Sequence, residues 1–119
     1  MSKFEEMLER RVVRKCAGAL LNAGYLLGVY DGEETTLKRS GDLKAVMKAL
    51  GTTDEDWLIV YDPRKAEPGK AAPRAGWVRL IYGNEPCYVI NDNTTNLEHV
   101  IGDGTEFKKW LDKTEEMFG

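Results

Sequence analysis

A single histidine, His99, limits the catalytic chemistry that this sequence can support. A cysteine or serine nucleophile that needs a histidine base would have to use it, and Cys87 is the conceivable partner. Asp92 with His99 is the conceivable acid–base pair of an enzymatic alternative. We favour the simpler interpretation, in which Cys87 fills the core and His99 is solvated, because no third, activating group can be identified. The sequence therefore predicts no catalytic residues.

Metal and cofactor sites also lack a recognisable pattern. Two cysteines and one histidine, widely spaced, do not show the paired spacing of zinc ligands. The segment Gly102-Asp103-Gly104-Thr105 lacks the lysine and the fixed glycine spacing of a nucleotide-binding loop. We expect neither a bound metal nor a cofactor.

Polar side chains concentrate near the ends of two expected strands. Their amide and hydroxyl oxygens could hold a cation or a polar ligand, whereas turn and cap chemistry, which we favour, would use them on their own backbone. The residues of this candidate polar loop are Asn84, Asn91, Asn93, Thr94 and Asn96.

The stretch from Leu80 to Phe107 contains acidic residues and no lysine or arginine. It predicts either a face that meets a basic partner or, more commonly, an ordinary solvated acidic surface. The candidate acidic binding face consists of Glu85, Asp92, Glu98 and Asp103.

Basic side chains concentrate in the first helix and in a proline-rich segment. They could contact phosphates, but we favour a solvated helix face, with Glu6 paired to Arg10, and a charged soluble loop. The candidate basic face consists of Arg10, Arg11, Arg14, Lys15, Arg64, Lys65, Lys70 and Arg74.

Overall composition restricts the partner and the compartment. A net charge of -3 and a pI near 5.2 do not favour binding to the phosphate backbone of duplex DNA. No apolar run approaches the roughly 20 residues that cross a bilayer, and the first six residues lack the apolar core of a secretory signal. We expect a cytoplasmic protein with no membrane partner, in which Cys16 and Cys87 are reduced core thiols.

The spacing of apolar residues predicts the order of the elements. A helix from Phe4 to Ala23 precedes a hairpin of strands 25–30 and 33–38, and Ser40 or Asp42 caps a second helix that Gly51 ends. A strand at 57–61, a hairpin of strands 76–82 and 87–90, a capping box of Thr95 with Glu98, and a last helix that starts near Asp103 or Thr105 complete the chain.

These elements fit one α+β domain over residues 1–119, with about five strands in a mainly antiparallel sheet packed against helices. The short connections at Asp31-Gly32 and Gly83-Asn84-Glu85-Pro86 leave no room for the crossover helices of a parallel sheet. Residues 63–75 contain three of the four prolines, and we expect them to form a mobile loop.

Two stretches resemble small uncharacterised proteins of tailed bacteriophages and prophages. They are residues 76–84 and 89–98, and Val29-Tyr30-Asp31-Gly32-Glu33-Glu34 fits the same resemblance. The resemblance runs from the first helix to Ile101, and it implies an aromatic residue where this chain has Asn93. It also implies a phage or prophage accessory protein, without assigning a reaction.

The functional expectation is a non-enzymatic protein that binds a host or phage macromolecule and modulates a defence or replication process. A protein partner is favoured, and nucleic acid bound by the basic helix and the basic loop is the alternative. A homodimer is the default if an apolar helix face or a strand edge is left uncovered.

Overall fold

Four helices and five strands make up the computed structural model, which describes residues 1–118. In chain order they are α1 (Lys3–Asn22), β1 (Leu26–Tyr30), β2 (Thr35–Ser40), α2 (Leu43–Ala49), β3 (Glu55–Tyr61), β4 (Arg74–Ile81), β5 (Ile90–Asn93), α3 (Glu98–Ile101) and α4 (Glu106–Phe118). Single 3-10 turns occur at Pro63–Lys65, Pro86–Tyr88 and Thr95–Leu97.

Local sequence explains both ends of α1. The Ser2 hydroxyl accepts a hydrogen bond from the Glu5 amide at 3.1 Å, and the Glu5 carboxylate accepts one from the Ser2 amide at 3.2 Å, which together form a capping box. At the other end, Gly24 takes a φ of +97°, a conformation that costs a glycine little and reverses the chain towards β1.

All five strands belong to one sheet in the order β2-β1-β3-β4-β5, and every neighbouring pair is antiparallel. This confirms the predicted α+β class and the predicted antiparallel sheet of five strands. The connection of β1 to β2, at residues 31–34, is short as expected. The connection of β4 to β5 was expected at residues 83–86 and is longer, because it runs over residues 82–89.

The main core lies between the helices and one face of the sheet. Alternate residues of the three central strands point into it, and they are Leu27, Val29, Leu58, Val60, Val78 and Leu80. Val12, Cys16 and Leu20 of α1 pack there with no exposed surface. Burial of these side chains supplies most of the hydrophobic stabilisation.

A second, smaller apolar cluster lies on the opposite face of the sheet. Ile59 and Tyr61 of β3 pack there against Ala72 of the loop that connects β3 to β4. Arg39, which has a φ of +48°, donates a hydrogen bond to the Ala72 carbonyl and lies over the Tyr61 ring. Gly28 lies beneath that ring, because a Cβ there would come within 3.0 Å of it. The loop therefore covers part of this face.

Three local predictions need correction. The expected strand 87–90 is a 3-10 turn over Pro86–Tyr88, and the strand begins only at Ile90. Pro86 has no amide hydrogen for a ladder, and this turn buries Cys87 and Val89 just as a strand would. No side-chain cap forms at Thr95, so the predicted capping box is wrong. Residues 74 and 75 of the expected loop belong to β4.

Candidate functional site

A groove of about 610 Å³ lies beside α1. Helices α1 and α4 run antiparallel along it, since Phe4 meets Phe118 whereas Arg11 meets Trp110. Its lining includes Arg11, Arg14, Lys15, Gly18, Leu43 and Trp110. It also includes one carboxylate, that of Glu106, which pairs with Lys109 at 3.8 Å.

Apolar and small side chains form the floor and the walls of this α1–α4 groove. Gly18 and Ala19 form the floor, and Leu43 from α2 and Phe107 and Trp110 from α4 stand at its sides. Gly18 has only the Leu43 side chain near its missing Cβ, at 3.9 Å, so the floor is open to an incoming group. An apolar concavity of this kind is typical of binding sites.

Three cations line the same groove. The Lys15 ammonium lies 5.4 Å from the centre of the Trp110 ring and the Arg11 guanidinium lies 5.8 Å from it, which are cation–π distances. Within residues 1–118, the ion pairs shorter than 4 Å use other cations and leave Arg11, Arg14 and Lys15 without a carboxylate partner. Their positive charge is therefore available to an incoming anion.

Arg10, the fourth cation predicted on this helix, has a different role. Its guanidinium donates to the Met47 carbonyl of α2, and the expected ion pair with Glu6 is not formed among the described residues. Arg10 thus links α1 to the end of α2, where the carbonyl groups of a helix are unpaired.

The basic loop residues do not line the α1–α4 groove. Arg64 donates to Asp62 at 2.9 Å and to the Ala23 carbonyl at 3.0 Å, and this guanidinium lowers the pKa of Asp62. Ala72 anchors the loop to the face of the sheet opposite α1. The structure therefore divides the candidate basic face between two surfaces, with Lys65, Lys70 and Arg74 exposed on the second.

The candidate acidic face is also divided. Glu98 and Asp103 line one cavity of about 220 Å³, and Glu85 lines a neighbouring hollow of about 380 Å³. Asp92 stands on β5 opposite Arg79, on the sheet face away from the helices. These four carboxylates are close together in the sequence, but the fold places them on separate surfaces.

Most of the candidate polar loop holds the edge of the sheet. The Thr94 hydroxyl accepts from the Trp77 amide at 3.2 Å, Asn96 donates to the Ala75 carbonyl, and Asn93 donates to the Thr94 carbonyl. Asn84 and Asn91 are exposed and do not join these contacts. The polar groups at 93–96 are thus used for turn and backbone contacts.

Neither conceivable catalytic pair is assembled. His99 Nε2 lies 3.3 Å from the Tyr25 hydroxyl, and His99 does not line the cavity beside Cys87. Burial, with the nearby carboxylates of Glu115 and Glu85, raises the pKa of the Cys87 thiol, which opposes formation of a nucleophilic thiolate. Asp92 faces Arg79 instead of His99.

The structure also contains a buried polar cluster that the sequence did not predict. Asp56 of β3 is fully buried, and its Oδ2 accepts hydrogen bonds from the Tyr82 hydroxyl at 2.7 Å and the Gly51 amide at 2.8 Å. Burial raises the pKa of Asp56, and Oδ1 has no partner among the described residues. Nearby, the Glu9 carboxylate accepts from the Gly83 amide at 2.9 Å. Asp56 followed a polar turn in the sequence, so nothing local marked it as buried.

The α1–α4 groove was only half visible in the sequence. The sequence marks the cations of α1, whereas nothing in it marks Trp110 of α4 as the partly exposed ring that lies beside them. Gly18, an isolated glycine in a helical pattern, was the signal that could have marked a close approach.

Comparisons with protein-family models, curated proteins and solved structures found no match. Among residues 1–118, the helices are too short or too polar to cross a bilayer.

Proposed function

We propose that this chain is a non-enzymatic binding protein that docks an acidic segment of a protein partner in the α1–α4 groove. One observation carries the proposal: Arg11, Arg14 and Lys15 have no carboxylate partner among the described residues and surround an apolar concavity. An acidic segment with a bulky apolar side chain would satisfy both features, because its carboxylates meet the cations while its apolar group covers Gly18.

A protein partner suits this groove better than a nucleic acid. The three cations occupy little more than one helical turn, which is about 6 Å of α1, so they would reach few phosphates of a polynucleotide. The basic loop, which would have to extend such a surface, is anchored on the opposite face of the sheet. The net charge of -3 adds a general repulsion towards polyanions.

We also propose that the protein is a phage or prophage accessory factor that modulates a host defence or replication process. The resemblance of residues 76–84 and 89–98 to such proteins supports this proposal. This second proposal does not depend on the groove, because residues 76–84 and 89–98 lie outside it.

The test is capture of partners from a bacterial lysate with three immobilised forms of the protein. The wild type is compared with Arg11→Glu/Lys15→Glu, which reverses two groove charges, and with Lys65→Glu/Lys70→Glu, which makes the same change in net charge on the loop. Each capture is repeated after nuclease treatment.

A nuclease-resistant protein that the groove variant no longer retains would support the proposal, and we expect its affinity to fall by more than about tenfold, or about 1.4 kcal/mol. Equal capture by the wild type and the groove variant would reject the groove. Capture that needs nucleic acid and fails only in the loop variant would replace the proposal with nucleic-acid binding, whose affinity should fall linearly in log salt.

A further inference from the structure

The exposed hydrophobic side chains of this protein collect at one corner. Among residues 1–118, the large hydrophobic residues that remain exposed keep 47% to 69% of their surface accessible. They are Met1, Phe4, Met7, Tyr88, Met117 and Phe118, which we call the Phe4–Phe118 corner. An apolar patch of this kind on a small domain is typical of an interaction surface.

Contacts join Phe4, Phe118 and Tyr88 of the corner into one surface. The rings of Phe4 and Phe118 meet edge to face with centres 5.4 Å apart, which joins the start of α1 to the end of α4. Tyr88 and Phe118 line the same hollow of about 380 Å³. The Tyr88 hydroxyl donates to Glu115 of α4, so this ring is held beside the helix.

The corner carries both a projecting group and a groove. Met7, the most exposed of these side chains, lies in a shallow groove of about 450 Å³. Lys3, Glu6 and Arg10 also line it, as do Arg11 and Arg14, which it shares with the α1–α4 groove. A surface that offers a knob and a depression side by side can pack against a copy of itself around a twofold axis.

Charges of both signs surround the same apolar residues. Lys3 and Arg10 are basic, whereas Glu5, Glu6, Glu115 and Glu116 are acidic. Acidic groups in the first turn of α1 and the last turn of α4 would repel an anionic membrane. A twofold interface has to supply both members of every ion pair from one patch, and this patch does so.

We propose that two copies of this chain associate through the Phe4–Phe118 corner as a symmetric dimer. The corner lies at the start of α1 and the α1–α4 groove follows it along residues 11–22, so that Arg11 and Arg14 border both surfaces. The two proposals are tested by different variants, because the dimer test replaces Met7 and the capture test replaces Arg11 and Lys15.

The experiment is sedimentation velocity of the full chain at concentrations up to the order of 100 μM, which detects association in the micromolar range. We expect the mass to rise from 13.4 kDa towards twice that value. Met7→Glu should weaken the self-association by at least about tenfold without unfolding the protein, because Met7 is 69% exposed. Ala71→Glu, an equal change in charge at an exposed loop position, should leave it unchanged.

A chain that stays monomeric throughout this range would overturn the proposal, as would a dimer that Met7→Glu does not weaken. Flotation with vesicles of anionic lipid provides the remaining outcome. Binding to those vesicles through Met7 by a chain that does not self-associate would assign the corner to a membrane surface and also overturn the dimer.

Discussion

Tyr82→Phe removes one of the two hydrogen bonds that reach the buried Asp56 carboxyl. The remaining donor is the Gly51 amide at 2.8 Å. Burial already raises the pKa of Asp56 above its ordinary 3.8, and the Tyr82 hydroxyl opposes that rise by favouring the charged form. The variant therefore raises the pKa of Asp56 further. Burial also raises the pKa of Tyr82, so the tyrosine stays neutral throughout the acid and neutral range.

The expected loss of stability depends on the charge of Asp56. A hydrogen bond to a charged acceptor contributes about 1.5–3 kcal/mol and one to a neutral acceptor about 0.5–1.5 kcal/mol. The native pKa of Asp56 lies above the unfolded value of 3.8, so the native state holds the proton to higher pH and stability falls as pH rises through the native pKa. Because the variant has a still higher native pKa, its deficit grows with pH, by at most about 1.4 kcal/mol per pH unit.

Urea unfolding followed by circular dichroism, at several values from about pH 4 to about pH 8, measures this difference. Burial raises the pKa of Glu9 as well, but Glu9 is present in both proteins and its contribution largely cancels. Tyr30→Phe is the matched control, because the Tyr30 hydroxyl donates at 2.9 Å to a neutral backbone carbonyl, that of Gly32. We expect the control to show a small deficit that does not change with pH.

The background variant Asp56→Asn provides a second check. In that background the deficit from Tyr82→Phe should no longer depend on pH, since the titrating acceptor is gone. A deficit from Tyr82→Phe in the wild-type background that is the same at about pH 4 and about pH 8 would refute the reasoning, because it would mean that the carboxyl does not change its charge in the native state over that range.

Three further predictions concern glycines and thiols. Gly28→Ala should destabilise the fold by about 1–3 kcal/mol in urea unfolding, because the new Cβ would lie 2.6 Å from the Leu37 carbonyl oxygen; a cost below about 0.5 kcal/mol would contradict the close packing. Gly18→Ala should stabilise α1 by about 0.5–1 kcal/mol in the same assay, since its nearest neighbour lies 3.9 Å away, and a loss of stability would show a tighter groove floor. Burial raises the pKa of Cys16 to about 12 and also raises that of Cys87, so a disulfide reagent at neutral pH should label both thiols slowly in the native protein and at once in denaturant, and fast native labelling would disprove their burial.

Periodicity and turn chemistry were sufficient to predict most of the architecture. The helical spacing of Val12, Cys16 and Leu20 predicted α1, and Asp31-Gly32 predicted the first hairpin. Both signals are local, because each depends on residues a few positions apart. The prediction of a strand at 87–90 was wrong for the same reason. Cys87 and Val89 are buried against the helices, but they lie in and directly after a 3-10 turn. An alternation of apolar residues does not distinguish such a turn from a strand.

The candidate site was less predictable because it is made by distant residues. Arg11 and Lys15 are separated from Trp110 by almost the whole chain, and only the antiparallel packing of α1 and α4 brings them together. The same applies to the loop residue Arg64, which reaches the distant Ala23 carbonyl at the end of α1. Charged residues that are close in the sequence therefore lie on different surfaces of the fold, and residues that share a surface are distant in the sequence.

The position of Trp110 beside two cations has a spectroscopic consequence. The other two tryptophans, Trp57 and Trp77, pack on the far face of the sheet, where the Arg79 guanidinium lies 5.4 Å from the Trp57 ring. The emission wavelength of an indole ring depends on the charges and the water around it. A bound anion that neutralises Arg11 and Lys15 would therefore shift the emission wavelength of Trp110 and leave that of Trp57 and Trp77 unchanged. A protein with phenylalanine at 57 and 77 would carry its own optical reporter in the groove, readable on the purified protein without any attached label.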